Sequence, residues 1–65
     1  MILTTLQYGI LDLIRKFPGL RQKDLTQRCG LSTDNLRYHA KVLASNGYIT
    51  VEADGRFRRY YAVRS

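Results

Sequence analysis

Residues 30–49 read GLSTDNLRYHAKVLASNGYI, and the fold turns on how this stretch is read. Ser32 has the residue type and position of a helix N-cap, since its hydroxyl can accept a free backbone N–H of the first turn. Asp34 in that turn suits the positive end of the helix. Leu36, Ala40 and Leu43 recur at helical spacing and make an inner face, with His39 on its flank. Gly47 after Asn46 is a left-handed stop. The stretch therefore predicts a helix over 33–46, roughly 20 Å long at about 1.5 Å per residue. Thr33, Asp34, Asn35, Arg37, Tyr38 and Lys41 lie between the apolar positions and face outward. The remaining question is whether that outer face is merely solvated or reads something.

Working outward, Pro18-Gly19, Gly30, Asn46-Gly47 and Asp54-Gly55 divide the chain into three helix-length pieces and a terminal strand pair. Segment 4–17, TTLQYGILDLIRKF, predicts the first helix. Leu6, Ile10, Leu13, Ile14 and Phe17 line one face of it. Thr4 and Gln7 have capping-box spacing, and Pro18 ends the helix. Gly9 costs about 1 kcal/mol relative to Ala, and either admits a close backbone or is a flaw. Segment 21–29, RQKDLTQRC, predicts a short second helix with Leu25 and Cys29 on one face and Gly30 as its stop. Arg21 stands where a Ser or Thr cap is expected. Segment 48–64 predicts a β-hairpin rich in β-branched and aromatic residues. Asp54-Gly55 suits a type I′ turn, which pairs Ala53 with Arg56, Val51 with Arg58 and Ile49 with Tyr60. That register sets arginines opposite apolar residues, so either the tip leaves the core or a bulge shifts the pairing.

Charge is the strongest global property. Eleven Lys and Arg against five Asp and Glu give +6 and a pI near 10.0. A small domain this basic is expected to bind polyanions. The 65 residues make a single domain, 1–65, near the lower size limit for independent folding. No apolar run approaches the roughly 20 residues a membrane span needs, so no membrane partner is expected. The start, MILTTLQYGIL, lacks a basic region and a small-residue cleavage site, so no signal peptide is read. One cysteine, Cys29, makes no internal disulfide and suits a reducing cytoplasm. One Cys and one His do not supply the three or four ligands of a zinc site. His39 is expected as a packed, hydrogen-bonded histidine. With no Ser-His-Asp spacing, paired carboxylates or Gly-rich phosphate loop, no enzyme and no cofactor is expected.

Three short helices followed by a hairpin is the order of a three-helix winged helix-turn-helix, mainly α with a small β-hairpin. Leu31-Ser32 then forms the tight turn, and the helix after it lies in the DNA major groove. Arg37 can fork onto guanine, Asn35 can pair with adenine, and Asp34 can accept from cytosine, although Asp34 has the cap as its other role. Tyr38 either meets a phosphate or thymine methyl or packs on the hairpin. Lys41 is a phosphate contact. Arg21, Gln22 and Lys23 open the second helix where it would cross the DNA backbone. Arg56 and Arg58 at the hairpin tip, with Arg59 on the opposite face, would lie along the minor groove or clamp phosphates. The alternative is a solvated hairpin whose charges prevent edge pairing.

At 30–49 the chain resembles the winged-helix transcription regulators of the ArsR and MarR type. The matching residues are Gly30-Leu31-Ser32, His39-Ala40-Lys41-Val42-Leu43 and Asn46-Gly47-Tyr48-Ile49. PGLRQKDL at 18–25 resembles the entry to the second helix, and GRFRRYYAV at 55–63 resembles the basic second wing strand. The resemblance implies sequence-specific binding of double-stranded DNA as a repressor or regulator, commonly as a homodimer on a palindrome. The family's DNA-contacting positions fall on Thr33, Asp34, Asn35, Arg37, Tyr38 and Lys41. The Cys-x-Cys motif of metal-sensing members is missing from KDLTQRC, so metal sensing is not carried over. A further helix usual after the wing in dimeric members is also missing. Either the first helix serves a dimer through Ile2, Leu3, Tyr8 and Leu11, or the chain is monomeric, or it is a piece of a longer protein. The runner-up function is a winged-helix protein-interaction module of a replication or transcription assembly.

Overall fold

The computed structural model describes residues 2–63. Its elements run α1 (Thr5–Lys16), β1 (Leu20–Arg21), α2 (Gln22–Cys29), α3 (Thr33–Ser45), β2 (Ile49–Asp54) and β3 (Phe57–Ala62). The expected winged helix-turn-helix is present, and each helix boundary falls within a residue or so of the sequence reading. Arg64, the last residue of the expected hairpin, lies outside the described residues.

Local chemistry accounts for the helix ends. Thr4 Oγ1 accepts the Gln7 N–H at 3.1 Å, while Gln7 Oε1 accepts the Thr4 N–H at 3.0 Å, completing the capping box. Ser32 Oγ accepts the Asn35 N–H at 3.2 Å. Gly30 closes α2 at φ 67, a left-handed conformation that a side chain resists, and its N–H returns to the Thr26 carbonyl. Arg21 is the backbone N-cap of α2, and its N–H reaches Asp24 Oδ2 at a long 3.4 Å.

The core joins all the helices and the sheet: Leu3, Ile10, Leu11 and Ile14, then Leu25, then Leu36, Ala40 and Leu43, then Ile49 and Tyr60. The apolar face expected on α1 is corrected. Leu6 and Phe17 are exposed, whereas Leu11 is 1% and Gln7 is 4% exposed. The helix is rotated so that 7, 10, 11 and 14 point inward. Gln7 tolerates this because its amide is hydrogen-bonded at both ends: Oε1 to Thr4 and Nε2 to His39 Nδ1 at 3.3 Å. Since Oε1 is committed to the cap, Nε2 donates and His39 Nδ1 accepts. His39 is thus a packed, hydrogen-bonded histidine. Gly9 is exposed, and an added Cβ there meets nothing within 4 Å. Gly9 therefore admits no close backbone within the chain.

The sheet holds a third strand that the sequence reading did not anticipate, in the order β1-β3-β2. β1 pairs Leu20 with Tyr60 and Arg21 with Arg59. The expected hairpin register is also corrected. Asp54 pairs with Phe57, Ala53 with Arg58, Val51 with Tyr60 and Ile49 with Ala62. The loop is Gly55-Arg56, with Gly55 at φ 60 and no positive φ at any non-glycine residue among the described residues. Glycine alone taking the positive φ at the first loop position is the pattern of a type II′ turn, not type I′. The register differs by two residues, so every side chain keeps its face. The gain is that Tyr60 sits opposite Val51 and Leu20 while Arg58 lies nearer the tip.

Candidate nucleic-acid interface

Two grooves meet at Arg58. The first, about 470 Å³, runs between α3 and the wing formed by β2 and β3; Asp34, Arg37, Tyr38 and Lys41 form its helix side. Val51, Arg58 and Tyr60 form its wing side, with Ala40 and Ala44 at the helix. The second, about 350 Å³, lies between the start of α2, the start of α3 and the wing tip. It is lined by Arg21, Gln22, Lys23, Asp24, Thr26, Thr33, Arg56, Phe57 and Arg58. Ten of the expected contact residues thus come together along these two grooves. Asn35 lines neither, though it stands exposed on the same first turn of α3 as Thr33 and Asp34.

Helix geometry explains this placement. Leu36, Ala40 and Leu43 are buried, so the positions between them turn away from the core. Tyr38 is 64% exposed and touches His39 edge-on, with ring centroids 5.3 Å apart. It is therefore not buried under the hairpin, although it shares the groove with Val51 and Arg58 of the wing. Among the described residues the one ion pair is Arg59–Asp54 at 2.7 Å. Arg37, Lys41, Arg56 and Arg58 therefore form no direct ion pair there, although Asp34 and Asp24 share their grooves.

Tyr60 is the element of this region that sequence reasoning missed. It is buried in the core, and burial pushes its hydroxyl above the ordinary value, opposed by the positive charges of Arg58 and Arg37. Those two guanidinium groups, one from the helix and one from the wing, thus lie near one phenol. The only sequence signal for Tyr60 was its place on the inward-facing side of β3.

Arg21 has a partner within the chain that the sequence did not show. Its guanidinium lies over the Phe57 ring, 4.6 Å from the centroid. Arg59 is likewise occupied: Nε donates to Asp54 Oδ2 at 2.7 Å and Nη1 donates to the Gly19 carbonyl at 2.9 Å. Of the four residues named for a possible dimer surface on the first helix, Leu3 and Leu11 are core residues while Ile2 and Tyr8 are exposed. Cys29 packs against the core, and burial raises its thiol above the usual value. Among the described residues no group of three His, Cys, Asp or Glu side chains is placed to hold a metal ion. No described helix is long and apolar enough to cross a membrane.

This geometry defines a winged helix with a basic, exposed face on α3 and the wing. The MarR family model matches residues 3–59, and the chain belongs to that family, whose members are transcriptional regulators rather than enzymes. The likeness is thus to the MarR side of the resemblance. The chain is similar to the PcaV transcriptional regulator from Streptomyces coelicolor, solved with its natural ligand. Identity there is 25% and the TM-score 0.90, over 94% of this chain and 45% of that one. A crystal structure of MarR gives 25% identity and a TM-score of 0.89, over 95% of this chain and 47% of that one. FabT from Streptococcus pneumoniae, solved in complex with DNA, shares the fold at 14% identity and a TM-score of 0.91, over 95% and 46%. The chain therefore spans a little under half the length of these solved relatives. No curated protein matches it.

Proposed function

We propose that this chain is the DNA-reading part of a transcriptional regulator, acting as a repressor on chromosomal DNA in the cytoplasm. It binds double-stranded DNA with α3 in the major groove and the wing on the flanking backbone or minor groove. The observation that carries this reading is the joining of Arg37 and Lys41 on α3 with Arg58 on the wing in one exposed groove. The first turn of α3 supplies Thr33, Asp34 and Asn35 toward base edges, and Arg37 follows with a fork suited to guanine. Lys23 and Gln22 at the start of α2 face the phosphate backbone, and Arg56 and Arg58 extend that positive surface along the wing. Asp34, at the positive end of α3, supports the helix start as well.

Selection of bound duplexes from random DNA, followed by fluorescence anisotropy, tests the reading. A defined site should emerge. Arg37→Ala should lower affinity for that site more than for random duplex, by about 1–3 kcal/mol of discrimination at one base pair. Equal loss on both duplexes would refute sequence reading by Arg37. A palindromic site would indicate two copies related by a two-fold axis, as expected of a homodimer.

A further inference from the structure

Two arginines on one face of the sheet, Arg21 and Arg59, make contacts that reach toward the wing tip. β1 ends at Arg21, opposite Arg59, so the hairpin beyond that pair projects without a third strand beside it. Phe57, Arg59 and Tyr61 alternate along one face of β3. Arg21 reaches diagonally from β1 to cover the Phe57 ring near the tip. Arg59 spans the hairpin in the same direction, from the Gly19 carbonyl at its base to Asp54 at the end of β2. Both contacts cross from the body of the domain to the part of the wing that has lost its strand neighbour. Arg56 in the loop and Arg58 on the opposite face are the groups whose position they set.

We propose that Arg21, Phe57 and Arg59 are positioning residues that brace the wing tip over α3, and that Arg21 acts through Phe57 and not on phosphate. The inference deepens the DNA-binding reading and rests on it for its consequence, but the brace itself is measurable without DNA. A stacked cation at an exposed site is worth about a two- to fivefold shift in equilibrium. Its loss lowers the fraction of wings held ready, and apparent affinity falls with that fraction, by at most the same factor.

The experiment uses the 65-residue chain and two readouts, with Phe57→Leu, Phe57→Tyr, Arg21→Ala and a doubly substituted Phe57→Leu/Arg21→Ala chain. Amide hydrogen exchange is followed over residues 53–58, and binding to a selected duplex is measured across a salt series. Phe57→Leu should speed exchange at the tip about two- to fivefold, leave core amides unchanged, and weaken DNA binding by no more than that factor. Phe57→Tyr, which keeps the ring, should restore both. The double substitution should be no worse than either alone. Unchanged tip exchange in Phe57→Leu overturns the brace. If Arg21→Ala weakens binding and flattens the salt dependence by about one phosphate while Phe57→Leu does neither, Arg21 is a direct phosphate contact and the inference fails. If the unsubstituted chain shows no salt-dependent duplex binding, the DNA reading fails, and the exchange result still decides the brace.

Discussion

Replacing Gln7 by leucine tests the polar link that joins α1 to α3. The buried amide serves two partners at once, the Thr4 N–H at 3.0 Å and His39 Nδ1 at 3.3 Å. Leucine has a similar size and serves neither. Thr4 Oγ1 still caps the residue-7 N–H, so this end loses only the bond to the Thr4 N–H, about 0.5–1.5 kcal/mol. Leaving the half-buried His39 nitrogen without its donor adds about 1 kcal/mol, the lower end for an unsatisfied group. Extra apolar burial by leucine returns up to about 1 kcal/mol. The net expectation is a loss of about 1–2 kcal/mol. A domain of this length has a total stability of about 3–10 kcal/mol, so the loss is a large share. Thermal melts followed by circular dichroism should show a midpoint lower by about 4–16 °C. A Gln7→Leu/His39→Leu chain should lose less than the sum of the two single substitutions, because both remove the same bond. A Gln7→Leu midpoint within about 2 °C of the parent would refute the claim that this amide holds the helices together.

Gly9→Ala should stabilise the chain by about 0.5–1 kcal/mol, because α1 gains a better helix former and the new methyl meets nothing within 4 Å; a lower melting midpoint would show that Gly9 has a partner. Duplex affinity should fall steeply with salt. With Lys23, Arg37, Lys41, Arg56 and Arg58 along the two grooves, the logarithmic slope approaches about −4.5, or roughly 500-fold between 50 and 200 mM; a slope shallower than about −1 would remove the electrostatic argument. Burial raises the Tyr60 hydroxyl above the ordinary 10.0. Its stabilising contribution is complete below that value and is lost as pH rises through the higher folded value, since the unfolded chain ionises first. Alkaline titration of Tyr60→Phe should therefore show a smaller loss of stability above pH 10 than the parent; parallel curves would contradict it. The Cys29 thiol, raised by burial, should react more slowly with a disulfide reagent at pH 8 than after unfolding in denaturant, and equal rates would mean that it is not shielded.

Much of the candidate site was legible in the chain because it depends on one helix. Once Leu36, Ala40 and Leu43 point inward, the directions of Thr33, Asp34, Asn35, Arg37, Tyr38 and Lys41 follow from 3.6 residues per turn. The cap at Ser32, the box at Thr4 and Gln7, and the stop at Gly30 were equally readable, since each is a short-range match between a side chain or a missing side chain and the backbone beside it.

Tertiary structure decided what several local solutions left open. Two stripes on α1 were both acceptable, one through Leu6 and Phe17 and one through Gln7 and Leu11. The second won because His39, 32 residues away, gives the buried Gln7 amide a partner. The hairpin register turned on whether Asp54-Gly55 or Gly55-Arg56 formed the loop; a shift of two residues preserves both faces, so the alternation along the strands did not distinguish them. A two-residue strand such as Leu20–Arg21 has no periodicity of its own and exists through its pairing with β3. Arg21 and Arg59 carry the same lesson: sequence supplies their charge, while the partners that occupy it, Phe57, Asp54 and the Gly19 carbonyl, are brought within reach only by folding.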